Sequence, residues 1–165
     1  MDSATGCGAG EKFVPEAAAT EKTGYPIILI AEDNEDDVVL LRWAFERAGL
    51  GKSVVFVRDG EEAVKYLGRQ APFDDLVLCP MPTLVLLDGR MPKMDALDVL
   101  VWLSQHREVE PPNILVYTSA LTPEQRVRAV TLGAKACMEK PVTGADWSRL
   151  VQQLKRFSGG VMLML

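Results

Sequence analysis

Four consecutive apolar residues, Leu84 to Leu87, run without a break into a single carboxylate, Asp88, and the polar stretch Gly89 to Asp95 follows. Pro92 blocks any direct continuation into helix, because proline lacks the amide a helix needs and clashes with the preceding turn. The run is too short for a helix and too uniformly apolar for a strand with one wet face. It reads as a buried strand that presents one acid at its carboxyl end.

The same kind of unit recurs along the chain. Ile27 to Ala31 is apolar and stops at Glu32, Asp33 and Asn34; from Asp36, residues Val38, Leu41, Phe45 and Ala48 then recur at helical spacing until Gly49 and Gly51. Ser53 to Val57 is apolar and rich in β-branched residues, Asp59-Gly60 signals a turn, and Ala63, Val64 and Leu67 place a helix over Glu61 to Arg69. Gln70 to Pro82, with Pro72, Pro80 and Pro82, is a long connection with room for a brief extended piece at Leu76 to Cys79.

Beyond Asp88, the stripe Leu97, Leu100, Val101 and Ser104 marks a helix over Ala96 to His106, closed by Pro111-Pro112. Asn113 to Thr118 is a strand ending in hydroxyls, and Thr122-Pro123-Glu124-Gln125 opens a helix that runs to Gly133. Ala136 to Glu139 is weak by propensity, but the alternation demands a strand there, ending at Lys140-Pro141. Trp147, Leu150, Val151 and Leu154 give the last helix, Asp146 to Phe157. Residues 1–26 read as a poorly ordered arm with one helical turn around Glu16 to Lys22, residues 27–158 as one domain, and residues 159–165 as an apolar tail suited to a partner or homodimer contact.

Strands alternating with helices predict right-handed crossovers and a doubly wound α/β fold, a five-stranded parallel sheet covered on both faces. Ligands of such sheets bind at the carboxyl ends of the strands. That places Glu32, Asp33, Asp88, Thr118, Ser119 and Lys140 in one site.

Charge and cysteine usage narrow the chemistry. Eighteen basic against 23 acidic residues, a net charge of −5, leave no basic footprint for nucleic acid. Cys7, Cys79 and Cys137 are far apart, with no histidine cluster, so neither zinc nor a disulfide framework is indicated and a reducing cytoplasm is the expected compartment. No stretch has the length of a membrane span or the core of a signal peptide. Converging carboxylates repel unless a cation lies between them, and hard oxygen donors suit Mg²⁺ (or Mn²⁺). A metal of this kind usually takes a phosphoryl oxygen as well, and a carboxylate held there can be the nucleophile that forms an aspartyl phosphate. Lys140 supplies positive charge, Thr118 a hydroxyl, and Ser119 is too small to obstruct an arriving phosphoryl group. Glu35, Asp36 and Asp37 read as solvated acids favoured at a helix N-terminus, Trp43, Trp102 and Trp147 as packing residues, His106 as an exposed helix-end side chain, and Cys137 as a small packed residue.

Glu32-Asp33, L-L-D-G-R-M-P-K-M-D around Asp88, Y-T-S-A around Thr118 and Lys140-Pro141, taken in this order, resemble the receiver domain of bacterial response regulators over roughly Ile27 to Phe157. The resemblance implies a flavodoxin-like sheet of order 2-1-3-4-5. It also implies Asp88 as phosphoacceptor, Glu32 and Asp33 for the metal, Arg90 as a ligand through its backbone carbonyl, Thr118 as switch hydroxyl, Lys140 as phosphoryl partner and a cis peptide before Pro141. The donor is then a sensor histidine kinase or phosphotransfer protein in two-component signalling, and the acidic start, the 58–67 segment and the long connection resemble stand-alone regulators paired with phytochrome-type kinases. With no sequence left for an output domain, the expectation is that a downstream protein partner takes the output or that the chain passes its phosphoryl group onward. The family commonly has an aromatic where this chain has Cys137, and often glycine where it has Ala96. A competing expectation is a receiver-like interaction module that is not phosphorylated. An aspartyl-phosphate hydrolase would want a second acid two residues after Asp88, where Arg90 stands.

Overall fold

The computed structural model describes residues 27–109 and 112–157. Within them five strands alternate with five α-helices: β1 (Ile28–Ala31), α1 (Glu35–Arg47), β2 (Val54–Val57), α2 (Gly60–Leu67), β3 (Leu84–Asp88), α3 (Ala96–Gln105), β4 (Asn113–Thr118), α4 (Pro123–Thr131), β5 (Ala136–Glu139) and α5 (Gly144–Phe157). All strands are parallel, in the order β2-β1-β3-β4-β5. The arm with its expected turn at Glu16 to Lys22 and the apolar tail lie outside the described residues.

Strand alternation divides the interior. Leu29, Ala31, Val55, Val57, Val85, Leu87, Ile114 and Val116 face α2, α3 and α4. Ile28, Ile30, Val54, Phe56, Leu84, Leu86, Leu115 and Tyr117 face α1 and α5. Strands β1 to β4 are buried on both faces, as their unbroken apolar runs require. β5, one of the two edge strands, is only half-buried, which accounts for its weak pattern. No helix among the described residues is long and apolar enough to cross a membrane.

Caps set the helix ends. The side chains of Asn34, Asp59, Asp95 and Thr122 accept from amides in the first turns of α1 to α4, and Asp95–Asp98 and Thr122–Gln125 form capping boxes. Gly49 and Gly133, at φ 74° and 113°, occupy the left-handed positions after α1 and α4.

Several local expectations change. Leu76 to Cys79 is a turn, because the Asp75 side chain accepts from the amides of Val77 and Leu78 and the Asp75 carbonyl accepts from Cys79. The buried stripe of α3 is Ala96, Val99, Leu100 and Leu103, one residue out of phase with the expected one, and Ser104 is exposed. Trp147 is buried but Trp43 is 43% exposed. His106 stacks on Trp102 with ring centroids 4.0 Å apart, so it is not a free helix-end side chain. Among the described residues the cis peptide is Ala71–Pro72 and not Lys140–Pro141, which has the trans form that X–Pro bonds favour by about 0.5–1 kcal/mol.

Two loops at the carboxyl edge are tied together. Asp59 is buried, accepts from the Glu62 amide at 2.9 Å and pairs with Lys93 at 2.7 Å. A Cβ on Gly60 would lie 2.4 Å from the Met94 carbonyl oxygen, so only glycine permits this approach. Gly60→Ala is expected to cost about 1–3 kcal/mol in urea unfolding. Burial alone raises the Asp59 pKa, but Lys93 and the Glu62 amide outweigh it and leave the group below its ordinary value. A carboxyl lowered by folding adds stability above its unfolded pKa and loses it as pH falls through the folded one. Lys93→Ala should therefore lower the urea midpoint at pH 7, with the gap to wild type closing as pH drops below the ordinary Asp value of 3.8. A gap of the same size at neutral and acid pH would mean that Lys93 does not act through Asp59.

Candidate functional site

Parallel register brings the strand ends to one level. Ala31 of β1 pairs with Leu87 of β3, so Glu32, one residue on, stands beside Asp88; Asp88 pairs with Tyr117, and Thr118 with Glu139, next to Lys140. The expected cluster at the carboxyl edge therefore exists. Glu32, Asp88 and Thr118 are buried, and Asp33 is exposed.

Asp88 is held at both oxygens. Its Oδ1 accepts from the Arg90 amide at 3.2 Å, and its Oδ2 lies 2.9 Å from Lys140 Nζ. Lys140 Nζ also lies 2.9 Å from Glu32 Oε2 and 2.8 Å from Asp37 Oδ2. Burial works against the ammonium, but its hydrogen bonds to Asp37, Asp88 and Glu32 outweigh that and keep its pKa above the ordinary lysine value. Glu32 goes the other way: burial raises its pKa despite Tyr117, Lys140 and the Asn34 amide, all of which favour the charged form.

Two participants escaped the sequence reading. Asp37 is not a plain solvated helix-start acid, since it pairs with Lys140; the only sequence signal was its place in the acidic run after β1. Tyr117 looked like an ordinary strand aromatic, yet its hydroxyl donates to Glu32 Oε2 in a buried hydrogen bond. Burial and the neighbouring Glu32 charge hold the phenol pKa well above its usual value, so it stays a donor.

Thr118 sits on the opposite sheet face from Tyr117. A Cβ on Gly89 would lie 2.6 Å from Thr118 Oγ1, so the absence of a side chain at residue 89 is what lets β4 end against the β3 loop. Thr118 Oγ1 accepts from the Ala120 amide at 3.3 Å, and Ser119 is exposed beside it. Cys137 is a half-buried free thiol packed against the α2–α4 core, with burial raising its pKa, which fits packing better than redox chemistry. Its carbonyl accepts from Arg126 of α4 at 2.8 Å.

Glu32, Asp33 and Asp88 each offer an oxygen, and these oxygens lie within 4.8 Å of one another. Only carboxylates contribute, a hard donor set that fits Mg²⁺ or Mn²⁺ and not zinc. Both oxygens of Glu32 and both of Asp88 already carry hydrogen bonds, Glu32 Oε1 from the Asn34 amide at 2.9 Å, while Asp33 is exposed beside them. Ligand binding to the folded state alone stabilises by about 1.4 kcal/mol at ten times the dissociation constant. Adding Mg²⁺ after EDTA should thus raise the melting temperature saturably, and Asp33→Asn should remove most of the rise.

A family model described as the response regulator receiver domain matches residues 28–155. The chain is 30% identical over 137 residues to the probable methanogenesis regulatory protein FilR2 of Methanothrix harundinacea, covering 79% of this chain and 82% of that protein. Among solved structures, response regulator RPA3017 in red light signaling of R. palustris shares 30% identity at TM-score 0.73, covering 81% of this chain and 93% of that one. The Mn²⁺-bound form of response regulator Rcp1 matches in fold at TM-score 0.71 and 23% identity, covering 83% and 96%.

Proposed function

The chain belongs to the response regulator receiver family of two-component signalling, and from that premise we propose that Asp88 is its phosphoacceptor, charged by a histidine kinase or phosphotransfer protein. The observation that carries the reading is Lys140 Nζ at 2.9 Å from Asp88 Oδ2, beside carboxylate oxygens of Glu32 and Asp33 that converge on the same point. A phytochrome-type kinase as donor is supported by the likeness to the bacteriophytochrome response regulator AtBRR, 32% identical at TM-score 0.63. A separate downstream protein takes the output.

A carboxylate oxygen of Asp88 attacks phosphorus, the bond from phosphorus to the donor imidazole nitrogen breaks, and the imidazole leaves with the electron pair and takes a proton. Glu32, Asp33, Asp88 and the Arg90 backbone carbonyl would hold Mg²⁺ or Mn²⁺, which would supply charge neutralisation for the phosphoryl oxygens. Lys140 adds a fixed positive charge at Asp88, and the Arg90 amide orients the second carboxylate oxygen. Thr118, freed from Ala120, donates to a phosphoryl oxygen, while exposed Ser119 leaves the approach open. The new charge draws Thr118 and Lys140 inward. Through the Lys140 amide bonded to the Thr118 carbonyl at 3.0 Å and Arg126 bonded to Cys137, that movement reaches β5 and α4 without an aromatic at 137.

Incubation with acetyl phosphate and Mg²⁺ should add one phosphoryl mass to wild type and none to Asp88→Asn. Lys140→Ala should keep its fold by circular dichroism and lose at least tenfold in rate, the scale of one charge-assisted contact. Equal labelling of Asp88→Asn and wild type sinks the reading.

A further inference from the structure

Tyr117, one residue before the carboxyl end of β4, touches the site's acid, its cation and α5. On the face toward α1 and α5, Leu115 and Tyr117 alternate along β4, Leu84 and Leu86 along β3, and Ile28 and Ile30 along β1. Glu32 and Asp88 continue the same alternation one step beyond Ile30 and Leu86. Two strand spacings, about 9.6 Å, separate β4 from β1. A tyrosine from one side and a glutamate from the other meet across that gap, passing Asp88 on the strand between them.

The pair is fixed on every side. Glu32 and Tyr117 have no more than 2% exposure, and Glu32 Oε1 is taken by the Asn34 amide. The Tyr117 ring packs edge-on against Trp147 of α5, centroids 6.4 Å apart at 79°, and lies 5.3 Å from Lys140 Nζ. Glu32 Oε2 therefore has two partners, the Tyr117 hydroxyl and the Lys140 ammonium. The ammonium in turn is divided among Glu32, Asp37 and Asp88. If the phenol were missing, Glu32 Oε2 would depend on Lys140 alone, at the expense of Asp88.

We propose that Tyr117 is a positioning residue of the phosphoryl-transfer site: its buried hydroxyl satisfies Glu32 and thereby leaves Lys140 available to Asp88. The proposal rests on Asp88 being the acceptor. Phenylalanine at 117 fills the same space and makes the same edge contact with Trp147, so only the hydroxyl is at issue.

The test is a two-by-two set in the full chain: wild type, Tyr117→Phe, Glu32→Gln and the double variant. Two quantities are read, the rate of phosphorylation by acetyl phosphate at saturating Mg²⁺ and the Mn²⁺ dissociation constant from tryptophan fluorescence quenching. Tyr117→Phe should slow phosphorylation about tenfold, the scale of one hydrogen bond to a charged group. It should also tighten Mn²⁺ about threefold, because a withdrawn donor leaves the carboxylates more negative. In the Glu32→Gln background both changes should shrink below twofold, since no carboxylate at position 32 then competes for Lys140. A rate and an affinity that weaken together, effects of equal size in both backgrounds, or no change in rate would overturn the proposal. A wild type that takes no phosphoryl group from acetyl phosphate would remove the acceptor reading, and this proposal with it. A labelled wild type with an unresponsive Tyr117→Phe removes the proposal alone.

Discussion

One ammonium group holds the carboxyl edge of this sheet together. Lys140 Nζ lies within 2.9 Å of carboxylate oxygens from three segments: Glu32 after β1, Asp37 in the first turn of α1, and Asp88 at the end of β3. Without it three acids would face one another in a half-buried setting where like charges are poorly screened. Lys140 is itself carried by β5, the least buried strand. Its position depends on the β4–β5 ladder, on its own amide bonded to Thr118, and on Arg126 of α4 bonded to the Cys137 carbonyl. The cation that organises the acids is thus mounted on the part of the sheet with the least apolar support, and a change in its partners is felt by β5 and α4 before the core.

The two faces of the sheet divide the work at the site. Leu87, Val116 and their neighbours face α2 to α4, and the next residues in that alternation are Gly89 and Thr118, which lie against each other. Leu86 and Leu115 face α1 and α5, followed by Asp88 and Tyr117, with Glu32 beyond them on β1. Adjacent residues of β4 therefore present hydroxyls on opposite sides. Thr118 stands ready for an incoming group, while Tyr117 is already committed to Glu32. Pleating alone produces this division, since successive side chains of a strand point to opposite faces.

Much of the fold was legible because its signals are local. Unbroken apolar runs marked the inner strands, Thr122-Pro123 marked the start of α4, and glycines at 49 and 133 marked helix ends. The misreadings have local causes too. Asp75 turns a segment whose apolar side chains suggested extension, and the α3 stripe shifted by one residue because Leu97 and Val99 are equally apolar and only the packing selects between them. At the site, Glu32, Asp33, Asp88, Thr118 and Lys140 could be read from their places at the ends of apolar runs.

By itself the sequence determined an alternating parallel α/β sheet and the acids, hydroxyl and lysine at its carboxyl edge, because both follow from periodicity and from where each run stops. Only the tertiary structure decided which of those groups meet. Asp37 reaches Lys140 because α1 starts over the end of β1, and Tyr117 reaches Glu32 because β4 and β1 flank β3 in register. Such contacts depend on strand order and side-chain reach across neighbouring strands, and neither quantity is written in the spacing of residues along one segment.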